Sequence, residues 1–132
     1  MDCCRKTHTK TLYRFVILHH QSPTEDHWDV MLETDSALMT WSIPPQCSLG
    51  TSFVCPATGL PDHRKHYLDY VGEISGNRGV VSRIDAGTYE QTLPDTFILH
   101  GTIFSGKLTL EKRELLGTVA FRWEHEADIF FG

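Results

Sequence analysis

The sequence has no long apolar run. Nothing in it approaches the ~20 consecutive apolar residues that a bilayer-spanning helix needs, and the opening "MDCCRKTHTK" lacks the apolar segment of a secretory signal. No membrane partner is therefore expected, and the default expectation for location is cytoplasmic. Cysteine is scarce and unpatterned: Cys3 and Cys4 are adjacent, Cys47 and Cys55 lie apart, and no C-x-x-C pair occurs. That excludes a disulfide framework, and four reduced thiols are expected. Positive charge is also short, with 12 Lys and Arg against 17 Asp and Glu, for a net charge of −5. A protein that coats nucleic acid must neutralise many phosphates, so this balance argues against that role. It still allows a site that grips one or two phosphates locally. Internal repeats, low-complexity tracts and helical periodicity are missing too. With 132 residues the chain has room for one domain with a modest core.

What is abundant is histidine, eight in all, set among short β-like segments. "LYRFVILHH", "EDHWDVMLE", "LMTWSIP", "TSFVC", "VVSRIDAGTYE", "TFILHG" and "GTVAFRWEH" are β-branched and aromatic, separated by turn clusters. Pro44–Pro45 ends the third segment, prolines and glycine bound "TSFVC", and "TFILHGTIFSGKLTLEK" reads as a hairpin turning at Ser105–Gly106. "LPDHRKHYLDYVGEISGNRG" lacks alternation and reads as one long functional loop with a helical turn. The pattern predicts an all-β fold, a small closed or nearly closed β-barrel of about six to eight strands. Residues 1–11 read as a flexible basic tail, and 12–132 as a single domain. Trp41, Phe97, Leu99, Leu110, Phe121 and Trp123 are the expected core residues.

In "EDHWDVMLE", Trp28, Val30 and Leu32 form a buried stripe, while His27, Asp29 and Glu33 face the other way. An imidazole and a carboxylate thus share one face of a strand. His20 closes the preceding strand and can sit beside Asp29. His63 and Tyr67 lie in the long loop. Two neutral imidazoles and one carboxylate make a ligand set for Mn²⁺, Fe²⁺ or Zn²⁺ with positions left open for water or substrate.

These blocks, in this order, resemble the 3′-phosphoesterase domain of DNA ligase D and its stand-alone relatives, from about Phe15 to Trp123. The resemblance implies a β-barrel with its site on an outer concave surface. It also implies hydrolysis of phosphoester bonds at nucleic-acid 3′ ends, namely trimming of a 3′-terminal ribonucleotide and removal of a 3′-phosphate to leave a 3′-hydroxyl. The expected cofactor is a divalent metal, Mn²⁺ first, with Zn²⁺ or another transition metal as alternatives. The expected partner is a primer-template end, with a ligase or polymerase acting as a separate chain.

Position by position, the resemblance makes His20, Asp29 and His63 the metal ligands, with His19 as the alternative to His20. His27 becomes the catalytic general acid or charge stabiliser, and Tyr67 a phosphate hydrogen-bond donor. A competing register, from "HYLDY", would choose His66 with Tyr70; the longer gapless match chooses His63 with Tyr67. The chain departs from the family at Met31, where the family has arginine, at Pro45 and Cys55, where it has lysine and arginine, and at Pro61, where it has an acidic residue. The phosphate grip is thereby thinned. Arg64, Lys65, Arg78 and Arg83 are nearby cations, and Arg64 is the expected replacement. Two rival functions follow from the same residues. One is a degenerate module that binds 3′ ends without cleaving them. The other is a His-x-Asp oxygenase using His27 and Asp29 with His100 as distal ligand.

Overall fold

The structure is a computed structural model that describes residues 12–46, 50–113 and 118–130. The expected tail, with Cys3 and Cys4, lies outside the described residues, as does Cys47. Strands β1 (Tyr13–Gln21), β2 (Asp26–Glu33), β3 (Leu38–Ile43) and β4 (Phe53–His63) form one antiparallel meander. The two-residue β5 (Gly72–Glu73) follows. A second meander comprises β6 (Val80–Leu93), β7 (Thr96–Gly101), β8 (Ser105–Arg113) and β9 (Thr118–His125). β4 pairs with β9 and β6 pairs with β1, so eight strands close into a barrel, while β5 hangs on β6 outside it. Closure removes the free strand edges that an open sheet would expose. A short helix, Glu126–Phe130, ends the described chain.

Strand periodicity sorts the side chains into two faces. Phe15, Ile17, Trp28, Val30, Leu32, Phe97, Leu99, Phe121 and Trp123 fill the barrel. Trp41 and Leu110 are half-buried against that core. The opposite face of β1 and β2 was expected to look outward, and it does, but it is not bare. Val16, Leu18, Met31, Leu38, Leu68 and Val81 make a second, smaller core there. Topology is the cause. β4 ends beside β3, with His63 opposite Leu38, whereas β6 begins beside β1, with Val80 opposite Gln21. The intervening chain must cross the outer faces of β3, β2 and β1, and it drops Leu68 onto them.

Three local expectations are corrected. The long loop is shorter than its composition implies: Leu60–His63 continues β4, a 3₁₀ turn spans Lys65–Leu68, and β5 follows. The segment "TSFVC" is the start of β4, which runs through Pro56 and Pro61. β4 tolerates these prolines because residues 53–57 pair with β9 and the later residues with β3, so each half has a side with no ladder to feed. Pro61 also falls in the register shift between Leu38 and Thr40 of β3. Finally, the β7–β8 turn is made by Thr102–Phe104, not by Ser105–Gly106. Gly106 is instead a strand residue opposite Leu99, and a Cβ there would overlap the Glu124 carbonyl oxygen of β9.

Candidate active site

The β1–β2 hairpin sets His20 opposite His27 and Leu18 opposite Asp29, all on the outer face. Ligand atoms of His20, His27 and Asp29 lie within 4.8 Å of one another. The end of β4 delivers His63 to the same face. The 3₁₀ turn then folds Tyr67 back, leaving its ring centroid 5.8 Å from that of His63. His20, Asp29, His63 and Tyr67 line one pocket of about 120 Å³. Leu18, Met31 and Val81 form its apolar part, and Ile74 and Arg78 enter from the segment before β6.

The three imidazoles differ in what holds them. His20 donates from Nε2 to the Arg78 carbonyl at 2.7 Å, and His63 donates from Nδ1 to the Pro61 carbonyl at 2.8 Å. A carbonyl can only accept, so each of these nitrogens carries a proton, and in the neutral ring it is the other, Nδ1 of His20 and Nε2 of His63, that has the lone pair. Metal-ligating histidines are oriented in this way, by a second partner on the far nitrogen. His27 is different. Its Nδ1 is 2.9 Å from Asp29 Oδ1 and its Nε2 is 3.2 Å from Glu25 Oε1. Both ring nitrogens are engaged by carboxylates, so neither is left open toward the pocket as one nitrogen of His20 and of His63 is.

Asp29 is 4% exposed. Burial pushes its pKa up, and the neighbouring His27, His20 and His63 only partly pull it back. A carboxylate in that position gains from a cation placed against it. Two lone-pair imidazoles and one buried carboxylate suit a divalent transition metal with open coordination positions. Proximity alone would group His20, His27 and Asp29 as the ligands. The hydrogen bonds argue for His63 in place of His27.

The remaining candidates sit elsewhere. His19 points to the barrel side, edge-on to Trp28, and bonds Asp26. His66 is exposed and lies on Tyr67, with ring centroids 4.1 Å apart, while the Tyr70 hydroxyl donates to the Glu73 carbonyl; neither lines the pocket. Arg64 is exposed at the start of the 3₁₀ turn and is not part of the pocket lining. Lys65 reaches Glu33, and Arg83 donates to the Leu68 carbonyl. His100 is on β7, bonded to Glu90, and is not part of the pocket lining either. A wider depression of about 610 Å³ at Tyr13, Glu33, Asp35 and Glu90 presents carboxylates, the wrong sign for a phosphate. Sequence reasoning missed Glu25, the Pro61 carbonyl and the Arg78 carbonyl. Glu25 shares the two-residue period with His27 and Asp29 and was open to discovery. The two carbonyls leave no sequence signal.

Taken together, the closed barrel and the histidine–carboxylate pocket on its outer wall define a metal-site candidate of the phosphoesterase type. Residues 18–121 match the family model described as the DNA Ligase D 3′-phosphoesterase domain. The chain belongs to that family. It is 31% identical over 125 residues to the multifunctional non-homologous end joining protein LigD of Mycobacterium bovis, covering 86% of this chain and 16% of the relative. The multifunctional non-homologous end joining DNA repair protein LigD of Mycobacterium tuberculosis matches with the same 31% identity and the same coverage. The chain thus spans about a sixth of the length of these relatives. Among the described residues no helix is long and apolar enough to cross a membrane.

Proposed function

We propose that this chain is a divalent-metal-dependent phosphoesterase that processes nucleic-acid 3′ ends in DNA repair, trimming a 3′-terminal ribonucleotide or removing a 3′-phosphate to leave a 3′-hydroxyl. The observation that carries the reading is the pair of tautomers: His20 and His63 are each tied by one nitrogen to a carbonyl, with the other nitrogen free in the pocket that holds Asp29. Family membership and the repair context in the relatives' names agree with it.

In this reading His20 Nδ1, Asp29 and His63 Nε2 hold the metal, Mn²⁺ first and Zn²⁺ next. When bound, the metal polarises the phosphoryl group and lowers the pKa of a water. His27 keeps its Nδ1 proton on Asp29 and offers its Nε2 proton to the leaving oxygen, as general acid. Before substrate arrives, Glu25 holds that Nε2 proton in place. The Tyr67 hydroxyl, which has no hydrogen-bond partner among the described residues, donates to a phosphoryl oxygen. Burial of Leu18, Met31 and Val81 beside the pocket keeps water away and strengthens each of these contacts. The product end then suits a ligase or polymerase acting as a separate chain.

The test is incubation of the full chain with Mn²⁺ and a primer-template ending in one ribonucleotide, followed by assay for a new 3′-hydroxyl. Inactivity with Mn²⁺, Zn²⁺, Co²⁺ and Mg²⁺ alike would overturn the hydrolase reading. Retained binding of such ends would then favour a module that only recognises them.

A further inference from the structure

We propose that the Arg78 guanidinium receives the terminal phosphate of the substrate at this pocket, so that the cation gripping the end comes from the turn before β6 and not from Arg64. The inference rests on the phosphoesterase reading above and adds to it the residue that recognises the anion. Three observations carry it.

Among the residues lining the pocket, Arg78 is the only one with a permanent positive charge. An incoming phosphate meets the Asp29 carboxylate there and needs a fixed cation to offset it, a role for which a planar guanidinium is well suited.

Arg78 is also unneutralised. Among the described residues four other cations are committed to carboxylates, Arg14 to Asp69 at 2.8 Å, Arg122 to Glu111 at 2.6 Å, Lys65 to Glu33 at 3.5 Å and Lys107 to Glu124 at 3.4 Å, while Arg64 and Arg83 do not line the pocket. Arg78 donates from Nε to the Ser75 carbonyl at 2.8 Å and from Nη2 to Ser75 Oγ at 3.4 Å, both neutral oxygens. The rest of its five-donor fork has no partner among the described residues.

The turn that carries it is pinned. The Arg78 carbonyl accepts from His20, and the Gly79 carbonyl accepts from the Ile74 amide at 2.8 Å. Gly79 has φ +106° and lies so close to β1 that a Cβ would overlap the Gln21 carbonyl oxygen. Only glycine fits both demands. The same peptide segment therefore orients His20 and carries a spare guanidinium.

The test is fluorescence anisotropy with the full chain and Mn²⁺, comparing a labelled oligonucleotide ending in 3′-phosphate with one ending in 3′-hydroxyl. Wild type is expected to prefer the phosphate, and Arg78→Gln to lose about tenfold to a hundredfold in affinity for that end alone. Arg78→Lys should fall between, keeping charge without the fork. Calorimetry with Mn²⁺ alone checks that Arg78→Gln binds the metal as wild type does, since the carbonyl that holds His20 is unchanged. If Arg78→Gln keeps the preference for phosphate while Arg64→Gln loses it, the assignment is wrong. A wild type that binds phosphate ends through Arg78 but never cleaves them would overturn the hydrolase reading and leave this one standing. A wild type with no preference between the two ends overturns the assignment whatever its activity.

Discussion

His20 and His27 face each other across the β1–β2 hairpin with ring centroids 4.8 Å apart, yet one donates to a carbonyl and the other lies between two carboxylates. The difference separates two ligand sets that distance cannot. With His20, Asp29 and His63 as ligands, His20→Ala abolishes Mn²⁺ binding in calorimetry. His27→Ala leaves Mn²⁺ bound and lowers turnover about 10²- to 10⁴-fold, the usual worth of a general acid. Loss of the metal from His27→Ala would move His27 into the ligand set in place of His63.

Asp29 sets stability against function. Its pKa is raised in the folded state, chiefly by burial. The sign follows: a raised carboxyl contributes stability below its unfolded value, ~3.9, and that contribution is lost as pH rises through the folded value. Above the folded value the metal-free protein therefore carries an ionised group it would fold better without. Asp29→Asn is expected to raise the melting temperature in chelator, by about 4 °C for each kcal/mol relieved. Saturating Mn²⁺, at about 100 times its Kd, should stabilise wild type by about 2.7 kcal/mol and Asp29→Asn not at all. A variant that melts earlier than wild type in chelator would show that Asp29 is already well paired without a metal.

The alternation of Trp28, Val30 and Leu32 made the barrel side of β2 legible, because a strand's period of two is written directly in the sequence. Asp29 and His20 were legible for a similar reason, as neighbours in one hairpin. The cover over the opposite face was not. Leu68 and Val81 meet Leu18 and Met31 only because the chain crosses from β3 to β1, and that crossing is a property of the topology. His63 was a candidate from its loop, but only the family resemblance tied it to His20, since nothing local links the two. Pro56 read as a strand end because proline costs a ladder bond, and the sequence does not show that β4 changes partners just beyond it. Gly106 read as a turn because glycine serves both turns and close approaches, and only the packing tells which.

Asp85 is the polar counterpart of these packing effects. It is buried, and its carboxylate accepts the amides of Thr102, Ile103 and Phe104, at 3.2, 2.8 and 2.7 Å. Those bonds hold the β7–β8 turn that the sequence placed at Ser105–Gly106. Asp85→Ala leaves three amides without an acceptor and is expected to cost about 3–5 kcal/mol in urea unfolding. Asp85→Asn keeps one carbonyl acceptor and should lose less. Full loss in Asp85→Ala with none in Asp85→Asn would mean that filled space, not the carboxylate's hydrogen bonding, is what Asp85 supplies.

Tyr89 gives the fold an alkaline limit. Its ring is buried, its hydroxyl donates to the Glu33 carbonyl at 2.6 Å, and burial, with Tyr13 and Glu33 nearby, pushes its pKa up to about 12. The unfolded phenol titrates near ~10. Stability from the neutral phenol is therefore complete below pH ~10 and is lost as pH rises toward the folded value, a decline on the order of 2–3 kcal/mol across the two units. Wild type should show this loss in urea midpoints measured between these pH values. Tyr89→Phe should start about 1 kcal/mol lower, having lost one hydrogen bond, and then decline less over the same interval. The two curves converge and then cross as pH rises, because the variant has no phenol to ionise. Parallel curves would mean that another group sets the alkaline limit and that the Tyr89 ring can ionise without unfolding the barrel.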